Sequence, residues 1–161
     1  MKKLILTALA IGLVVNPTFT TGAEEDYNLS EDYTPYIEEI ASMYGLCPEL
    51  IQSLIWEESR GKTDIVSHCG AVGLMQVMPK YNQERMKELG VTDLTDPYSN
   101  ILVGCDIIAE LADKYEVYEA LTAYNCGADS YTMQAVQNGG SWEYADNILE
   151  RSAYLERMHG K

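Results

Sequence analysis

Cations are scarce in this chain: 11 Lys and Arg stand against 25 Asp and Glu, a formal net charge of −14. Nucleic-acid binding rests on cationic neutralisation of phosphate, so that class of partner is excluded. The same deficit argues against simple electrostatic attachment to an anionic membrane or wall. Histidine is nearly absent, with only His68 and His159, and none of the four cysteines belongs to a short-spaced ligand pair. A structural zinc site needs such spacing, so no metal and no cofactor are expected. Asp93 and Asp96 sit in a turn-rich connector without an oxygen-rich loop of defined spacing. They read as turn and cap residues rather than calcium ligands. No Ser/His/Asp arrangement, phosphate-cradling glycine loop or dinucleotide fingerprint is present, and no repeat or low-complexity segment.

A bilayer-spanning run is missing as well. The apolar stretch from Leu4 to Val15 follows Lys2-Lys3 and falls short of the ~20 residues a span requires. With the small residues Thr21-Gly22-Ala23 behind it, it predicts a secretory signal peptide over 1–23, an uncleaved anchor being the alternative. Residues 24–32 are polar and acidic and read as a flexible leader. Residues 33–161 read as one domain, long enough for a real core. Without Lys2 and Lys3, nine cations face the 25 acids, a net charge of −16 that is expected to be a solvated surface.

What the chain does have is helical periodicity around one misplaced acid. Leu50, Ile51, Leu54 and Ile55 recur at helical spacing between a Cys47-Pro48 start and a Gly61 stop. At 100° per residue, Glu58 falls on that apolar stripe, with Glu57 at its edge and Trp56 on the far side. A carboxyl among apolar neighbours resists ionisation, which suits a general acid. A first helix is expected from Thr34-Pro35 to Gly45, with Tyr36, Ile37, Ile40 and Ala41 inward. Further helices are expected over Gln83–Leu89, from a Ser99 or Asn100 cap through Ala112, over Glu116–Asn125, over Asp129–Asn138, and from a Ser141 cap through Met158. Gly104 would permit close approach to its helix. The class is mostly α, with a small irregular β-hairpin lobe between Asp64 and Val77.

Glu58-Ser59, Ser67, Gly70-Ala71, Gly73-Leu74-Met75-Gln76 and Met78-Pro79 resemble the signature of the soluble lytic transglycosylases. The likeness continues in order through Asp96-Pro97, Asn100-Ile101, Gly104, Ala123-Tyr124-Asn125-Cys126-Gly127, Tyr131 and, more weakly, Tyr144. It implies a lysozyme-like (α+β) fold and a secreted, cell-wall-associated monomer that cleaves peptidoglycan strands without water. Glu58 would be the catalytic acid and then base, with Ser67, Gln76, Met78, Tyr124, Asn125 and Tyr144 binding substrate. If Ser67 and Tyr124 line one cleft, Cys69–Cys126 is the favoured disulfide, against free thiols as the alternative, Cys105 especially. Ile107 stands where an aromatic is usual, Cys126 replaces a small apolar residue, and the Glu-Thr pair usual before the last tyrosine is missing. Two other functions stay open. One is a lysozyme-type hydrolase using Asp64 or another loop acid, and the other is a non-catalytic peptidoglycan-binding protein.

Overall fold

The computed structural model describes Leu29 and residues 33–161. The signal peptide and all but Leu29 of the acidic leader lie outside the described residues. The first helix, α1, spans Thr34–Tyr44 and closes at Gly45. Ile37, Ile40 and Ala41 face the core as expected, but Tyr36 is 41% exposed. It lies at the edge of the apolar stripe, where its ring packs edge-on against Tyr98, with centroids 5.6 Å apart.

Helix α2, Pro48–Ser59, runs through the centre. Leu50, Ile51, Leu54 and Ile55 are all buried, the last three completely. Each such side chain contributes about 1.5–3 kcal/mol of burial free energy. The helix ends one residue before the expected glycine, because Arg60 itself takes the left-handed cap, at φ 56°. Ser59 fixes this end to the following loop. Its Oγ donates to Leu74 O (2.7 Å) and accepts from Gly61 N (3.2 Å).

After the loop come a short 3-10 helix (Pro79–Tyr81) and α3 (Gln83–Glu88), then α4 (Pro97–Ala112), α5 (Val117–Cys126), α6 (Tyr131–Gln137) and α7 (Glu143–Met158). Helix α4 starts earlier than the Ser99 or Asn100 cap foresees. Pro97 occupies its first turn and Asp96 caps it, accepting from Ser99 N at 2.9 Å. Asp93 accepts from Thr95 N at 2.8 Å, so both aspartates do turn and cap work. Ser130 caps α6, and α7 starts after Trp142 without a side-chain cap. Helix α2 packs most extensively on α7; α4 lies against α1 and α5, and α5 against α6 and α7. No helix among the described residues is long and apolar enough to cross a membrane.

The expected β-hairpin lobe does not form. Among the described residues, segment 64–77 makes only two isolated bridges, Val66 with Val72 and Val72 with Val77. The physical reason is where the backbone groups find partners. Backbone pairing is confined to these bridges and tight turns, such as Val72 N to Val77 O at 2.9 Å and Gly73 N to Ile65 O at 2.9 Å, and side chains bind the groups between them. The fully buried amide of Asn100 on α4 accepts from Met75 N (2.8 Å) and donates to Val72 O and Leu94 O (both 2.8 Å). Gln76 Nε2 donates to Gly73 O (2.9 Å) and also faces Ile65 O (3.3 Å). The approach is close enough that a Cβ on Gly73 would sit 2.3 Å from Asn100 Nδ2, and one on Gly104 2.3 Å from Met75 Sδ. Both glycines are therefore packing requirements, as expected for Gly104.

Candidate active site

Glu58 occupies the last turn of α2, half-buried, on the apolar side that its phase predicts. Its only hydrogen bond among the described residues comes from Tyr144 of α7, whose hydroxyl donates to Oε1 at 2.5 Å. Burial pushes the carboxyl up to about 7, the Tyr144 hydroxyl pulls the other way, and the neighbouring Glu57 carboxylate adds repulsion. A carboxyl poised there can give a proton and take one back near neutral pH. Burial and Glu58 itself raise the phenols of Tyr144 and Tyr124 well above their ordinary range, so both stay neutral donors.

Tyr144 owes its place to the entry of α7. Tyr118 of α5 accepts from Trp142 N (2.7 Å) and donates to Asp146 Oδ1 (2.9 Å), which fixes the first turn. Tyr124 of α5 donates its hydroxyl to Met75 O (2.8 Å) and sits close enough to Glu58 to feel its charge. Thus α2, α5, α7 and the loop over residues 72–76 meet at one point.

Other expected site residues hold the loop rather than touch the acid. Ser67 Oγ accepts from Ala71 N at 3.0 Å, closing a turn. Gln76, a non-glycine residue at φ 47°, spends its amide donors on the loop backbone, while Oε1 stays available. A strained conformation held by its surroundings is common at functional sites. Met78 is half-buried ahead of the 3-10 helix, and Asn125 is exposed near the end of α5.

The Cys69–Cys126 bridge is not formed; all four cysteines are free. Cys69 is exposed, and Cys126 turns its thiol to Thr122 O (3.0 Å) and Ser130 Oγ (2.9 Å) at its own end of α5. That contact braces the segment after Tyr124. Asn100 belongs to the family likeness but was not expected to anchor the loop, and Asn147 and Arg151, which hold Glu57, belong to no motif. Their signals were a buried amide on an apolar helix face and helical spacing from Tyr144.

A recess of about 790 Å³ opens elsewhere, lined by Tyr44, Tyr81, Arg85, Asp106 and Glu110 among others. It holds none of the residues around Glu58. Its guanidinium, Arg85, is already paired with Asp106 and Glu110. No group of three or more metal-ligating side chains exists among the described residues.

The transglycosylase SLT domain family matches residues 35–146. The chain belongs to that family. This SLT domain is 39% identical over 111 residues to a transglycosylase of Enterobacteria phage PRD1, covering 68% of this chain and 39% of the phage protein. It is 32% identical over 146 residues to membrane-bound lytic murein transglycosylase F of Desulfosudis oleivorans, covering 80% and 31%. The SLT domain therefore spans well under half of these relatives. The 70 kDa soluble lytic transglycosylase SLT70 of Escherichia coli superimposes with a TM-score of 0.69 at 20% identity, over 80% of this chain and 25% of that one. That likeness bears on the fold alone.

Proposed function

We propose that this protein is a peptidoglycan lytic transglycosylase, cleaving the β-1,4 bond between N-acetylmuramic acid and N-acetylglucosamine without water. The carrying observation is Glu58: one carboxyl on an apolar helix face, raised to about 7, with a single tyrosine donor. Family membership and the names of the relatives support the substrate class. The lytic transglycosylase Slt of Pseudomonas aeruginosa, crystallised as an inactive glutamate-to-glutamine mutant, shares the fold (TM-score 0.67, 20% identity).

Glu58, protonated, gives its proton to the glycosidic oxygen as the C1–O4 bond breaks. The muramoyl acetamido oxygen bonds C1 in place of a protein nucleophile. The Glu58 carboxylate, steadied by Tyr144, then removes the proton of the same sugar's C6 hydroxyl. O6 bonds C1, the acetamido oxygen leaves, and Glu58 is protonated again. The products are a free N-acetylglucosamine hydroxyl and a 1,6-anhydromuramoyl end. Ser67, Gln76, Met78, Tyr124 and Asn125 would position the sugars, with Gln76 Oε1 as an acceptor. The signal-like segment 1–23 supports action outside the cytoplasm, and a monomer suffices for this chemistry.

Hydrolysis of the same bond would take a second carboxylate to activate water. Glu57 is held by Arg151 at 3.2 Å and Asp64 is exposed, which favours the lyase reading. Mass spectrometry of products from purified wall tests the choice. The expected products are anhydro ends, one water lighter than the hydrolytic ends; hydrolytic ends alone would make the enzyme a lysozyme. Wall bound but uncleaved would make it a binding protein.

A further inference from the structure

Helix α7 presents Tyr144, Asn147 and Arg151, three and seven residues apart and so on one side of the helix, to the two consecutive acids of α2. Tyr144 takes Glu58. Asn147 Nδ2 lies 3.5 Å from Glu57 Oε1, and Arg151 Nη1 lies 3.2 Å from Glu57 Oε2 and 3.4 Å from Ser53 O. The Arg151 guanidinium also lies 5.9 Å from the centroid of the Trp56 ring. Arg60, the residue that caps α2, stands 3.5 Å from Oε2. The Arg60 side chain is 53% exposed and that of Arg151 only 9%, so water and salt screen the Arg151 contact far less.

Among the described residues three groups face Glu58: Glu57 from its own helix, Tyr144 from α7 and Tyr124 from α5, the last with Cys105 of α4 nearby. Of these, Glu57 alone carries a formal charge. Left bare, it would repel the Glu58 anion at the C-terminal end of a helix, where the helix dipole already disfavours negative charge. We propose that Arg151 is a positioning residue for the reaction: it holds the Glu57 carboxylate aside and balances its charge, leaving Glu58 to face Tyr144. The second half of the reaction, in which Glu58 must be an anion, depends on that balance most. The proposal rests on Glu58 being the acid.

The test is the pH profile of wall cleavage by the full chain, for the wild type, Arg151→Met, Glu57→Gln and the double variant. The alkaline limb marks loss of the Glu58 proton, and an unbalanced like charge makes that proton harder to lose. Arg151→Met is therefore expected to move the limb up by about 0.5–1 pH unit. Glu57→Gln is expected to move it down, and in the double variant the upward shift disappears because no charge remains to balance. Arg151→Lys should keep the limb near that of the wild type. Arg151→Gln carries the same expectation as Arg151→Met should the latter fail to fold. A uniform loss of rate with the limb unmoved, or an upward shift that survives in the double variant, overturns the role of Arg151 and leaves it a packing residue. Cleavage retained by Glu58→Gln overturns the acid assignment itself, and the proposal with it.

Discussion

Helix α2 carries a buried or half-buried carboxylate near each end, and its two ends treat them in opposite ways. Glu49, in the first turn, is 2% exposed, yet it sits at about 2. Burial pushes it up, but the donors Lys161 (2.7 Å), His159 (2.8 Å) and Cys47 (3.2 Å) outweigh that push. Glu58, in the last turn, sits at about 7, because burial there meets only one donor and a carboxylate next door adds repulsion. The helix dipole adds to the contrast, since its N-terminal end favours an anion and its C-terminal end does not. Burial prevails at Glu58, where a single donor opposes it, and loses at Glu49, where three do.

The largest break in this comparison should come from Glu58→Gln. Each positioned acid–base step is worth ~10²–10⁴ in rate, and in the proposed reaction Glu58 serves in both, so cleavage should fall by at least ~10³ while wall binding persists. Stability should not suffer. The folded value near 7 lies above the ordinary 4.5, so ionising Glu58 opposes folding above pH 7, and that penalty vanishes below about pH 4.5. Thermal melts should show the variant more stable by about 1–3 kcal/mol at pH 8 and no different at pH 4. Normal cleavage by this variant would end the assignment.

Tyr144→Phe removes the one donor and should sharpen the contrast. A hydrogen bond to a charged group is worth ~1.5–3 kcal/mol, so kcat should drop by about tenfold or more. The alkaline limb should also move upward, because the anion has lost its stabiliser. A downward shift would mean that Tyr144 does not act on Glu58.

Glu49→Gln should leave cleavage per folded molecule untouched and act on stability alone. The folded value lies below the ordinary one, so the contribution is complete above about pH 4.5 and disappears as pH falls through 2. Because Lys161 and His159 are about half exposed and regain water when released, the loss at pH 7 should be about 1–3 kcal/mol, less than the full shift converts to. Denaturant unfolding showing no loss would make the cluster ornamental.

Local and periodic features were legible in the sequence. The phase of Glu58 followed from Leu50, Ile51, Leu54 and Ile55 alone, and the cap and turn roles of Asp96 and Asp93 followed from their setting. Contacts between distant segments were not. The Tyr144–Glu58 bond spans 86 residues of sequence, and Tyr144 was expected only as a substrate contact. The hairpin misled because strand-forming residues in 64–77 pair only at Val66–Val72 and Val72–Val77, while Asn100 of α4 binds Met75 N and shares Val72 O. Tyr36 misled because residues at the edge of a stripe are decided by neighbours that no periodicity names. The disulfide misled because nearness to one cleft says nothing of where two thiols point, and Cys126 had partners in its own turn.

The amide of Asn100 divides the loop after α2 into two stretches with different freedom to vary in length. From Val72 to Met75 the chain is clamped from behind by a helix, so one residue added there displaces Gln76 and the carbonyl that receives Tyr124. Around His68 and Cys69 both side chains are exposed, and the turn between Ser67 and Ala71 closes on itself. A residue added there lengthens the rim of the site and leaves its floor where it was.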